Sequence, residues 1–146
     1  MIETRATATS DRDAVAFTGY RRGFDLAFGY LLCAFVVGVL VQIYLAGVGA
    51  FGKRGTHAFN PHENLGHALG IAAVVIFVLA LVARRSTGTM IWALVLALLT
   101  EVAQEGLAHG GHDDKWVGGI HAFDAALILA VSIWLVYSWR RGQSSR

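Results

Sequence analysis

The chain has 146 residues, 55% of them hydrophobic and 15% charged, with a formal net charge of +2. A mean hydropathy of +0.55 is too high for an ordinary soluble domain. Cys33 is the single cysteine, which excludes an intrachain disulfide, a Cys-x-x-Cys motif and a thiolate cluster.

Residues 1–22 are polar and small, and read as a flexible cytoplasmic tail with a short interfacial helix near residues 17–24. Glu3, Asp11 and Asp13 interrupt the start, so no cleaved signal peptide is expected. Leu26 to Phe51 is the first long apolar run, and Gln42 is its one strongly polar member. A span needs about 20 apolar residues at about 1.5 Å each, which this run supplies. Residues 52–61 form a loop with Lys53, Arg54 and His57. Pro61 suits the first turn of a helix and Asn60 its N-cap. The second span runs from His62 to Ala83, and Arg84 to Gly88 is a turn. Thr89 to Ala108 is the third span, interrupted near its end by Glu101, Gln104 and Glu105. A polar loop with His109 and His112 follows. Trp116 to Tyr137 is the fourth span, and Trp116, Tyr137 and Trp139 sit where an aromatic belt belongs. The fold class is therefore an all-α membrane protein, a four-transmembrane-helix bundle over residues 23–139, with a short basic tail at 140–146.

Nine of the twelve Lys and Arg residues (Arg5, Arg12, Arg21, Arg22, Arg84, Arg85, Arg140, Arg141 and Arg146) fall on one side of such a bundle. By the positive-inside rule both termini are cytoplasmic, in a cytoplasmic membrane of bacterial type. All six histidines then lie in the outward half or the outer loops, with Gln42, Glu63, Glu101, Gln104 and Asp124.

The two hairpins repeat one plan. Each second member has His-Ala-(Leu/Phe) near its start, at His67 and His121, and ends on Arg-Arg. Each first member carries an amide near its outer end, Gln42 and Gln104. Such repeats are related by an axis along the membrane normal, which puts His67 and His121 at similar depth on opposing sides of the bundle.

Two neutral imidazoles facing each other across a bundle are the ligand set of a low-spin haem b, with electron transfer as the natural role. Gly66, Ala68, Gly70, Ala122 and Ala125 leave room for a flat ring. Glu63 lies one turn before His67 on the same face, as an orienting acceptor or a helix-start charge. Glu101 and Asp124 are carboxylates within spans, where the default reading is functional or a polar lock between helices.

The segment from Gln42 to Gly47, Gln-Ile-Tyr-Leu-Ala-Gly, together with Glu63-x-x-x-His67 and His121, resembles one four-helix half of haem A synthase. The likeness covers residues 36–135. It implies His67 and His121 as haem ligands, with Glu63 and Gln42 beside the cofactor. Only one half is present, so a two-site assembly requires a homodimer. More loosely, the chain is similar to an uncharacterised family of small four-helix bacterial membrane proteins, which implies the fold and no activity.

Two further readings compete. Zinc, iron or copper fits a donor set that includes His67, His121, His62, Glu101 and Asp124. A cofactor-free protein, proton-coupled or accessory, would use the same groups as a buried network. His57, His62, His109 and His112 read as loop residues. The expected partners are the lipid bilayer and a quinone or redox protein. Nucleic acid is not expected, because the basic residues read as topology signals. No hydrolase or phosphate-loop motif is present, and whether a reaction is catalysed stays open.

Overall fold

A computed structural model describes residues 3–52, 57–111 and 114–144, with side chains from residue 19 onward. Lys53, Arg54, His112 and Arg146, used above for topology and loops, lie outside the described residues, as do the side chains of Arg5 and Arg12. Every element is helical: α1 (Glu3–Phe51), α2 (Asn60–Val82), α3 (Thr87–Leu98), a π-helical turn (Leu99–Ala103), α4 (Gln104–Gly111) and α5 (Lys115–Ser144). No strand occurs among the described residues.

Four of these helical stretches are long and apolar enough to cross a membrane: Gly19–Phe51, Asn60–Val82, Thr87–Gly111 and Lys115–Ser144. The shortest has 23 residues, about 34 Å of helix against about 30 Å of hydrocarbon. The described part of the 1–22 segment, expected as a flexible tail, is helical from Glu3 and continuous with the rest of α1. The segment from residue 140 likewise extends α5 to Ser144. Pro61 lies in the first turn of α2 as expected, but Phe59, not Asn60, precedes the helix, and no side chain caps it.

Short connections force sequential helices to run antiparallel. α1 packs against α2 and α5, α2 also packs against α3 and the π turn, and α5 packs against α3, the π turn and α4. The helices therefore form a closed ring, with α2 and α5 on one diagonal and α1 and the α3–α4 helix on the other. One end carries the α1–α2 and α4–α5 connections and the histidines. The other carries the α2–α3 turn and the arginine pairs.

The core follows a seven-residue rhythm. Phe28, Leu32, Phe35 and Val39 of α1 are buried, as are Leu69, Ala73, Ile76, Ala80 and Ala83 of α2. Asp124, Ile128, Ser132, Leu135 and Trp139 do the same on α5. A spacing of three and four residues keeps one seam turned to the bundle axis. Large apolar side chains such as Tyr30, Val37, Ile71 and Ile133 are exposed on the outside, as a lipid-facing surface requires.

The arginine end is locked by polar groups. Asp25 of α1 is buried and accepts from Arg85 Nη1 at 2.8 Å and from Gln143 Nε2 at 2.6 Å. One carboxylate thus joins α1, the α2–α3 turn and α5. Arg84 takes a positive φ of 51°. The Arg85 N–H reaches Ala80 O and the Arg84 N–H reaches Leu81 O, the paired bonds that end a helix through a left-handed residue. This turn delivers Arg85 to Asp25. Trp139, expected in an aromatic belt, is instead buried, and its indole covers Gly29 so closely that a Cβ there would overlap the ring.

Removing one member of a buried ion pair leaves a desolvated charge, typically about 3–5 kcal/mol. Asp25→Ala is expected to destabilise the bundle on that scale in thermal unfolding of the detergent-solubilised protein. Gly29→Leu is expected to cost at least about 1–3 kcal/mol by overpacking Trp139, read in the same assay.

Candidate functional site

At the histidine end each hairpin builds the same small device. In the first hairpin, Gln42 Nε2 of α1 donates to the His62 carbonyl oxygen at 2.8 Å. His62 Nδ1 lies 3.1 Å from the Gln42 carbonyl oxygen. A carbonyl only accepts, so Nδ1 carries the hydrogen and Nε2 keeps its lone pair in the neutral ring. Gln42 Nε2 also stands 3.5 Å from that Nε2. In the second hairpin, Gln104 Nε2 of α4 donates to the His121 carbonyl oxygen at 3.1 Å. The corresponding pairs are thus Gln42–His62 and Gln104–His121, separated by 20 and 17 positions.

This changes the register of the repeat. The sequence pairs His67 with His121, whereas the structure brings His62 against His121, with ring centroids 6.4 Å apart and planes at 73°. The two rings meet across the diagonal formed by α2 and α5. Phe59 packs edge-on to His62, with centroids 6.1 Å apart.

The rings stand at a cavity of about 690 Å³ walled by all four membrane helices. That volume lies in the range of small-molecule and cofactor sites, about 300–1,000 Å³. Its apolar wall includes Val39, Ile43, Leu69, Leu107 and Ile128. Gly66, Gly111, Gly118 and Ala125 keep it open. Gln42, Thr100 and Gln104 add polar groups.

The other predicted residues take separate places. His67 and Glu63 line the cavity but are exposed, so they belong to its rim. Glu105 and His109 of α4 also line it and are exposed. His109 Nδ1 donates to the Glu105 carbonyl oxygen at 2.9 Å and lies 3.7 Å from its carboxylate. Asp124 is buried one turn beyond His121 and approaches both Gln104 and His121, without lining the cavity. Glu101 sits at the centre of the π turn, outside the cavity wall, with its carboxylate over Gly70.

Among the described residues, no three His, Cys, Asp or Glu side chains gather closely enough to hold a metal ion. His62, Glu101 and Asp124 therefore do not form the converging donor set expected for zinc, iron or copper. Among the described residues, four buried side-chain atoms lack a hydrogen-bond partner, and three belong to this region: Gln42 Oε1, His121 Nδ1 and Asp124 Oδ2. Buried polar groups are normally satisfied, and exceptions concentrate where something else binds.

Sequence reading placed His62 with the loop histidines. Its signal was the heptad: His62 stands seven positions before the buried Leu69, and His121 seven before the buried Ile128. His67 does not share that phase.

Residues 42–104 match a family of unknown function, DUF6220. That stretch covers α2, α3 and the π turn, runs from one cavity glutamine to the other, and stops before His121. No curated protein matches the chain, and no solved structure matches it. The four-helix architecture is compatible with the resemblance to half of haem A synthase, which rests on the quoted residues alone.

Proposed function

We propose that the chain is an integral-membrane protein that binds haem b at the histidine end of its bundle and serves electron transfer or haem handling. The observation that carries this reading is the His62–His121 pair, with ring centroids 6.4 Å apart at a cavity of about 690 Å³. His62 and His121 are the residues that would hold the iron, since their separation would suit two metal–imidazole bonds of about 2 Å each. The donor chemistry also fits. His62 Nδ1 is held by a backbone carbonyl, which orients the ring, and Nε2, 3.5 Å from Gln42 Nε2, is the atom that would coordinate. His121 has a buried ring nitrogen with no partner in the protein. A haem held by two histidines supplies one-electron transfer and disfavours oxygen chemistry.

The protein's own side chains have definable roles in this reading. Gln42 and Gln104 tie the two histidine turns to the neighbouring helices. Asp124 is buried one turn after His121 on the same helix. His67, the ligand expected from the haem A synthase likeness, stands at the rim with Glu63. In this reading the histidine end faces outward from a bacterial-type cytoplasmic membrane and the termini face inward, a topology that the positive-inside rule supports. A quinone or a redox protein would exchange the electron there, and a homodimer would supply a second site.

The test is an absorption spectrum of the purified full chain, oxidised and then dithionite-reduced. A six-coordinate b-type haem gives a sharp Soret band and resolved α and β bands on reduction. His62→Ala and His121→Ala are each expected to abolish that spectrum, and His67→Ala to retain it. A preparation that stays colourless after haem is added would overturn the reading. Retention in His62→Ala with loss in His67→Ala would return the ligand role to His67.

A second expected outcome concerns the glutamines. Gln104→Leu removes a bond to the His121 carbonyl, worth about 0.5–1.5 kcal/mol. It should weaken haem retention and lower thermal stability by that amount while leaving the α band in place.

A further inference from the structure

We propose that Glu101 is a proton-binding carboxyl reached from the lipid, separate from the histidine cavity. Glu101 lies 14 positions after Thr87 and 10 before Gly111 on a 25-residue span. At about 1.5 Å per residue it stands about 21 Å from one end of the helix and 15 Å from the other, well inside the hydrocarbon. It is exposed on the outside of the bundle and does not line the cavity. Among the described residues it has no hydrogen-bond or ion-pair partner.

Two features show that this placement is built. Glu101 is the central residue of the π turn over Leu99–Ala103. Such turns shift the register of a helix by one residue and are frequent at functional sites. The opposing surface is Gly70 of α2, where a Cβ would overlap the Glu101 carboxylate. The glycine notch seats the carboxyl against α2, and the residue as a whole stays exposed.

An ionised carboxylate facing hydrocarbon is costly, and neutralisation by a proton removes most of that cost. The exchange is simple: the carboxylate takes one proton to become a neutral acid, and releases it on reaching water. Exposed polar side chains continue from Glu101 toward the cavity rim. His67 lies three positions before Gly70 on α2 and Glu105 four positions after Glu101 on α4, and both are exposed and reach the cavity rim. On α5 the buried Asp124 is the titratable group on the cavity side. This seam therefore runs from Glu101 to the exposed polar rim of the cavity.

The test is carbodiimide labelling of the full chain in membrane vesicles, read by peptide mass. A neutral carboxyl adds across the N=C=N group of dicyclohexylcarbodiimide. Its oxygen bonds to the central carbon, its proton goes to one nitrogen, and an acyl shift leaves a stable N-acylurea. The lipid-soluble reagent is expected to label Glu101 in preference to Glu63 and Glu105, with loss of the adduct in Glu101→Gln. A water-soluble carbodiimide should show the reverse preference. Gly70→Ala should change the rate at Glu101 by displacing the carboxyl, and the labelling of Glu63 and Glu105 by the water-soluble reagent reports whether that variant keeps its fold. Labelling of Glu101 by the water-soluble reagent alone would overturn the proposal. So would labelling that appears only after detergent extraction, which would mean that another protein surface covers the group. The readout is independent of haem, so it stands or falls apart from the cavity reading.

Discussion

Helices inside a bilayer gain little from hiding apolar surface from one another, because the surrounding lipid is equally apolar. Close approach has to do that work. In this chain it is done by large side chains set over glycines of a neighbouring segment. Trp139 of α5 covers Gly29 of α1, Leu69 of α2 covers Gly38 of α1, and Phe59 covers Gly49. Glu101 of the π turn uses Gly70 in the same way. At each of these positions a Cβ would overlap or crowd the opposing side chain, so the helix spacing is set where the glycines stand. These four glycines act as docking points between segments.

The closed ring of helices then decides what meets at the axis. Adjacent helices share long contacts, while α2 and α5 face each other across the diagonal. Only residues on their inner seams meet there. On α2 that seam passes through Leu69, Ala73, Ile76 and Ala80. Extending it back by seven positions gives His62. His67 is five positions further on, about 140° around the helix, which turns it away from the axis to the rim. On α5 the seam through Ile128 and Asp124 reaches His121. The His62–His121 contact is therefore a consequence of the packing register.

The four spans, their antiparallel order and the special character of the histidine end were legible from hydropathy, loop length and residue type. The register of α2 was not. Its residues from Leu69 to Val82 are apolar on every side, so no polar face marks which residues turn inward. The pairing of His67 with His121 followed the local words His-Ala-Leu and His-Ala-Phe. Packing instead follows the seven-residue rhythm, and the two criteria differ by five positions. Asp25 was visible as a lone acid near the start of a span, but its partners Arg85 and Gln143 lie 60 and 118 positions away. No local pattern joins residues so distant. The π turn was equally hidden, because an extra residue in a helical turn leaves no mark in composition.

The two ends of the bundle handle polar groups in opposite ways, and this difference separates scaffold from site. At the arginine end the buried carboxylate of Asp25 is satisfied by two donors from two other segments. The left-handed Arg84 supports the turn that brings one of them in. The carboxylate there is fully satisfied, as a polar lock in a bilayer should be, and the buried Trp139 Nε1 is the one buried side-chain atom at that end left without a partner among the described residues. At the histidine end Gln42, His121 and Asp124 each leave a buried atom without a partner, around a cavity that glycines keep open. A chain able to satisfy a buried carboxylate completely at one end has the means to do so at the other. Local rules tend to be broken at functional sites and kept elsewhere. The unsatisfied atoms at the histidine end therefore support the ligand-binding reading proposed for that cavity, while the Asp25 lock at the arginine end ties the helices together.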